Sequence, residues 1–173
     1  MTRALALLAL LFSLCTTLRA ADPPRKVDEK VTVHQDGDGT VTLRAIDATV
    51  HGTKAKLEKK GTNPHNIGYW TNDKDTVTWE SKLTAGGKFE VELEYSLAAN
   101  SKGAEIAIEF GEKEKVTVPL EAGKTFLDFK TAKVGQVELP VGAVTITVRP
   151  LKKPGVAVMD LRAIVLKPVK EAK

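Results

Sequence analysis

Two aromatic side chains, Tyr69 and Trp70, stand side by side in the stretch HNIGYWTND, residues 65–73 of a chain that has only 5 Phe, 2 Trp and 2 Tyr in 173 residues. Hydrogen-bonding groups frame them: His65 and Asn66 on one side, Asn72 and Asp73 on the other. In an extended segment successive side chains point to opposite faces. At most one of the two rings then enters a core, and the other stands at the surface or under a loop. A sugar presents flat C–H faces ringed by hydroxyls. An exposed ring offers the matching apolar plane, and neighbouring amides and carboxylates bind the hydroxyls. Tyr69 or Trp70 with Asn66, Asn72 and Asp73 makes that set. The competing reading packs both rings inside.

Catalytic constellations are harder to assemble. His34, His51 and His65 show no metal-ligand spacing such as two histidines four apart on a helix. Ser81, Ser96 and Ser101 lack a shaped turn and a base nearby in sequence. Glu90, Glu92 and Glu94 share one face of a strand, whereas glycosidase chemistry sets two acids across a cleft. The run QDGDG, residues 35–39, matches a fragment of a calcium loop without the further oxygen ligands or the closing Glu, and reads as a turn. The chain therefore reads as non-catalytic.

The elements that position these residues begin after the N-terminus. Residues 1–20 combine Arg3, an apolar run from Ala4 to Leu14 and a small residue at Ala20, the build of a secretory signal peptide cut before Ala21. The apolar run is too short for a bilayer-spanning helix of about 20 residues. Leu14 before Cys15 is wrong for lipid attachment. Cleavage would remove Cys15, the only cysteine, so the mature chain would stand on its core without a disulfide. The expected location is secreted, periplasmic or at the cell surface. The formal charge of +4 includes Arg3 and Arg19; without them 24 basic and 22 acidic residues remain, a net +2 of alternating sign. Nucleic-acid binding needs clustered Lys and Arg, and only the tail KPVKEAK is basic. Nucleic acid and a membrane span are both excluded on this reading.

From residue 31 onward the apolar period is two. VTVHQDGDGTVTLRA reads as a hairpin turning at Asp36 to Gly39. GGKFEVELEYSLA sets Phe89, Val91, Leu93 and Tyr95 against Glu90, Glu92 and Glu94. AEIAIEFG and KVTVPLEAG form a second pair. GQVELPVGAVTITVRP holds two short strands turning near Pro140 to Gly142, and VMDLRAIVL closes the fold. No stretch has a helical period. About nine or ten strands predict an all-β, two-sheet antiparallel β-sandwich of jelly-roll type. The expected organisation is a signal peptide over 1–20, a linker over 21–30, the sandwich over 31–168 and a basic tail over 169–173.

The run NIGYWTNDKDTVTWESKLTAGGKFEVELEYSLA resembles the central part of family 6 carbohydrate-binding modules and their relatives. Asn66 to Tyr69, Asp75, Trp79, Gly87, Phe89, Val91 and Tyr95 carry the pattern, and GKTFLDF, VGQVELPVGAVTITV and VMDLRAIVL continue it. The likeness covers about residues 40–168 and extends to the non-catalytic modules of secreted fucosidases and sulfatases. It implies a galactose-binding-like jelly roll and a sugar clamped between two aromatics at one end of the sandwich. Carried over, the first ring is Tyr69 and the opposing one is Phe126, where Trp is usual. The position of a sugar-binding Asn falls near Val158, which cannot make that hydrogen bond. The family also implies a structural calcium, for which Asp160 matches a ligand and Asp47 could substitute for an acid of the first strand, where Arg44 and Ile46 stand instead. The implied partners are a glycan or polysaccharide and a secreted glycoside hydrolase or sulfatase; the alternative is a structural or protein-interaction domain with a lapsed sugar site.

Overall fold

A computed structural model describes residues 31–59 and 64–170. The expected signal peptide, the linker and the last three residues of the tail lie outside the described residues. Where apolar and polar residues alternate, the chain is strand. The clearest case, β7 (Gly87–Ser96), buries Phe89, Val91, Leu93 and Tyr95 and turns its glutamates outward, as the alternation predicts. Glu92 and Glu94 on that outer face pair with Lys167 at 2.7 Å and Arg162 at 3.2 Å. Helical structure among the described residues is limited to two short 3-10 turns, Ala45–Asp47 and Ala99–Ser101.

Two six-stranded sheets face each other. The first runs β1 (Thr32–His34), β6 (Thr76–Leu83), β11 (Gly142–Lys152), β8 (Glu105–Phe110) and β9 (Glu114–Pro119), with β3 (Thr49–His51) also on β6. The second runs β10 (Lys130–Leu139), β7, β12 (Asp160–Pro168), β5 (Asn66–Gly68) and β4 (Lys56–Glu58), with β2 (Val41–Arg44) also on β12. All pairings are antiparallel except β1 with β6, which is parallel. Trp79, Ile106, Ile108 and Ile146 from the first sheet meet Leu43, Phe89, Leu93 and Ile164 from the second in one core. This is the expected β-sandwich.

The expected hairpin at residues 31–45 is corrected. The turn exists, with the Asp36 N–H donating to the Thr40 carbonyl at 2.8 Å and the Gly39 N–H to the Asp36 carbonyl at 3.0 Å. Its two strands do not pair: β1 hydrogen-bonds to β6 and β2 to β12, so the turn steps between layers. β10 and β11 likewise lie in different sheets on either side of Pro140. The described residues form twelve strands rather than nine or ten, because β3, β4 and β5 are three-residue pieces too short to show a period.

The pairings fix where the connections go. His51 opposes Thr76, Lys152 opposes Glu105, Asp160 opposes Ser96 and Lys56 opposes Gly68. The connections 52–55, 69–75, 97–104, 120–129 and 153–159 therefore gather at one end of the sandwich.

Candidate functional site

Tyr69 and Trp70 leave β5 at this end and separate, but through a turn at Tyr69 rather than by strand alternation, which would have placed Tyr69 on the core side with Ile67. Trp70 is fully buried at 0% exposure, and its indole N–H donates to the Asp75 carbonyl at 3.1 Å. It is a core residue, and its burial corrects its candidacy as a stacking surface. Tyr69 keeps 56% of its surface exposed. Its backbone φ is 52°, in the left-handed region that bulky residues avoid. Two bonds from this turn hold the chain there: the Thr71 N–H donates to the Tyr69 carbonyl at 2.7 Å, and the Val158 N–H to the Trp70 carbonyl at 2.9 Å. The Lys56 ammonium, one strand away on β4, lies 4.0 Å from the Tyr69 ring centroid. Such a contact at an exposed site is worth about 0.5–1 kcal/mol.

The polar residues around the rings have divided tasks. Asn66 is buried and donates to Glu58 at 3.1 Å, so its amide faces the neighbouring strand. Asn72 donates to Asp75 at 2.7 Å and accepts the Lys74 N–H at 3.0 Å. Asp73 is exposed at the rim. The organising group is Asp75, which is fully buried and accepts the N–H groups of Thr53, Lys54 and Ala55 at 3.0, 2.8 and 2.7 Å. Burial works against its ionisation, but the amides of Ala55, Thr53 and Lys54 and the Asn72 side chain outweigh it and hold the carboxyl below the ordinary carboxylate value. Gly52, at φ 140°, has no room for a side chain because the Asp75 carboxylate fills that space. The connection 52–55 is thus wrapped onto the turn that carries Tyr69.

Phe126 sits in the connection 120–129, half-buried against the core, and its carbonyl accepts the Ser96 hydroxyl at 2.7 Å. Ser96 is on β7 and Tyr69 follows β5, with β12 between them. At about 4.8 Å per strand, the two anchors stand about 10 Å apart across the sheet. The fold thus brings both expected rings to one end. Val158 is buried beside Trp70 and offers no side-chain hydrogen bond. The serines support structure: Ser81 donates to the Val33 carbonyl at 3.1 Å, and Ser101 accepts the Ala157 N–H at 3.2 Å. His51 bonds the Thr78 hydroxyl at 2.8 Å.

The two residues expected to hold calcium are Asp47, in the 3-10 turn Ala45–Asp47, and Asp160, at the start of β12. Asp47 is paired with the Arg44 guanidinium at 2.7 Å, and Asp160 is buried at the start of β12. Among the described residues no group of three or more His, Cys, Asp or Glu side chains gathers.

Lys56 and the anchoring role of Asp75 are the features that sequence reasoning missed. The motif contains Asp75, but only the fold shows three amides converging on it. Nothing in the sequence ties Lys56 to Tyr69, because their contact runs across a strand pair.

No protein-family model matches this sequence, and no curated protein matches it. Solved structures do. The fold is that of the family 6 and family 35 carbohydrate-binding modules. The chain is similar to a Podospora anserina GH26-CBM35 β-(1,4)-mannanase, at 19% identity and TM-score 0.62, over 79% of this chain and 29% of the mannanase. It is similar to the C-terminal family 6 module of a marine laminarinase from Zobellia galactanivorans, at 11% identity and TM-score 0.60, over 74% of this chain and 98% of the module. It is also similar to a module of Cellvibrio mixtus lichenase 5A in complex with cellotriose, at 16% identity and TM-score 0.57, over 75% and 97%. The module fold thus accounts for most of the chain, which spans less than a third of the mannanase.

Proposed function

We propose that the protein is a non-catalytic glycan-binding module, exported from the cytoplasm, that docks a polysaccharide at the loop end of the sandwich. Tyr69 supplies the stacking plane, Phe126 faces it across the end, and Asp73 takes hydroxyls at the rim. Asn66 and Asn72 support the turn from beneath. The observation that carries this reading is Tyr69 itself: a ring left more than half exposed, at φ 52°, on a turn that the chain fastens from several sides. Support also comes from the modules that share the fold, one of them solved with cellotriose. One or two stacked rings and a few neutral hydrogen bonds, set against ordering costs, give an affinity near millimolar, about −4 kcal/mol. Such a module works by tethering, and a glycoside hydrolase or sulfatase acting on the same polymer is its natural partner.

Affinity electrophoresis against a polysaccharide panel tests the reading. Tyr69→Gly suits the left-handed backbone and so keeps the fold; it is expected to abolish retardation and to leave the melting temperature equal or higher. Equal retardation of the two proteins would remove the site. Val158 favours a second reading, a structural or protein-interaction domain with a lapsed site, in which no polymer retards the wild-type protein.

A further inference from the structure

Charge is unevenly placed on this molecule. At the loop end Lys54, Lys56, Lys74, Lys102 and Lys124 are exposed, and among the described residues none of the five forms an ion pair. The acids of these connections are Asp73, exposed at the rim, and three that are engaged: Asp75 by three backbone amides, Glu121 by Lys130 at 3.0 Å, and Asp128 by the Thr125 N–H at 2.9 Å. The turn residues described at the opposite end are balanced, with Asp36, Asp38 and Glu112 against Lys59, Lys113 and Lys170. At the end that presents Tyr69 these five lysines therefore outnumber the one exposed, unengaged acid, Asp73.

Lys56 brings that charge onto the ring, with its ammonium 4.0 Å from the Tyr69 centroid. A neutral sugar stacking on that face must displace the ammonium or bury it against C–H groups, and desolvating a charge is costly. A sugar that carries its own anion turns the same ammonium into a partner. The geometry points to an anionic glycan, bearing a carboxylate or a sulfate ester, as the ligand class of this site. The inference rests on the glycan-binding reading and narrows it. Surrounding lysines add attraction that salt screens within a Debye length.

The test measures dissociation constants for polygalacturonate, a sulfated galactan and a neutral galactan at ~0.01 M and ~1 M salt, where the Debye length is ~30 and ~3 Å. At low salt at least one acidic polymer should bind several-fold tighter than the neutral one, and the preference should vanish at high salt. Retention of the carboxylated or the sulfated polymer alone names the anion. Lys56→Met should lower the acidic-to-neutral ratio by about two- to fivefold, whereas Lys113→Met at the opposite end should leave it unchanged. Three results overturn the inference: neutral galactan bound as tightly as the acidic polymers at low salt, a ratio indifferent to Lys56→Met, or acidic binding that survives Tyr69→Gly. The first, with binding still lost in Tyr69→Gly, sinks the anionic preference and spares the glycan site. Failure of every polymer to bind sinks both.

Discussion

Asp75 does at the level of one side chain what the binding turn needs from the whole loop cluster. Its carboxylate collects three consecutive amides from residues 53–55 and the Asn72 side chain, in a position without solvent. Because those bonds favour the charged form, the folded-state value lies below the unfolded one, about 3.9. Its contribution to stability is then complete above that unfolded value and is lost as pH falls through the lower folded one. Chemical denaturation should show wild-type stability declining below about pH 4, and Asp75→Asn should lose about 2–3 kcal/mol at neutral pH with a flatter acid limb. An unchanged acid limb in the variant would assign the decline to other carboxylates. Much at this scale was legible beforehand. Adjacent aromatics were expected to part and Trp70 and Tyr69 do, but a left-handed turn at Tyr69 parts them, not an extended segment. The aim of an amide was not legible: Asn66 and Asn72 have the right chemistry for a sugar, but strand pairing and the turn direct them to Glu58 and Asp75.

Among the elements, long strands announced themselves and their partners did not. The alternation of β7 and the β8–β9 hairpin follow from period and turn residues alone. The turn at Asp36 to Gly39 looks identical in sequence whether its strands pair or part. What separates them is the hydrogen bonding offered by β6 and β12, which the chain supplies far downstream. The connections at the loop end are elements too, and they interlock. Gly155 packs against the Asn100 carbonyl and the Ser101 Cα with no room for a Cβ, and the Ala157 N–H reaches the Ser101 hydroxyl. Gly155→Ala should push 97–104 and 153–159 apart and cost about 1–3 kcal/mol, read as a lowered melting temperature. A variant melting with the wild type would mean that these connections yield without loss.

For the whole molecule, net charge is a poor guide to field. The residues that make the loop end positive come from distant parts of a nearly balanced chain, and only the topology collects them. Topology also gives β12 an unusual place: it is the last strand among the described residues, yet it lies inside the second sheet, with β7 on one side and β2 and β5 on the other. A chain ending before Asp160 would leave that sheet in two parts, with Leu43, Leu93 and Ile67 uncovered. Such a truncation should show no cooperative unfolding transition by circular dichroism, and a sharp one would contradict this account. Translation runs from the other end. The early strands must therefore wait, unclosed, until β12 has left the ribosome, and for that interval the polypeptide is an open thread that any translocating or chaperoning machine can grip.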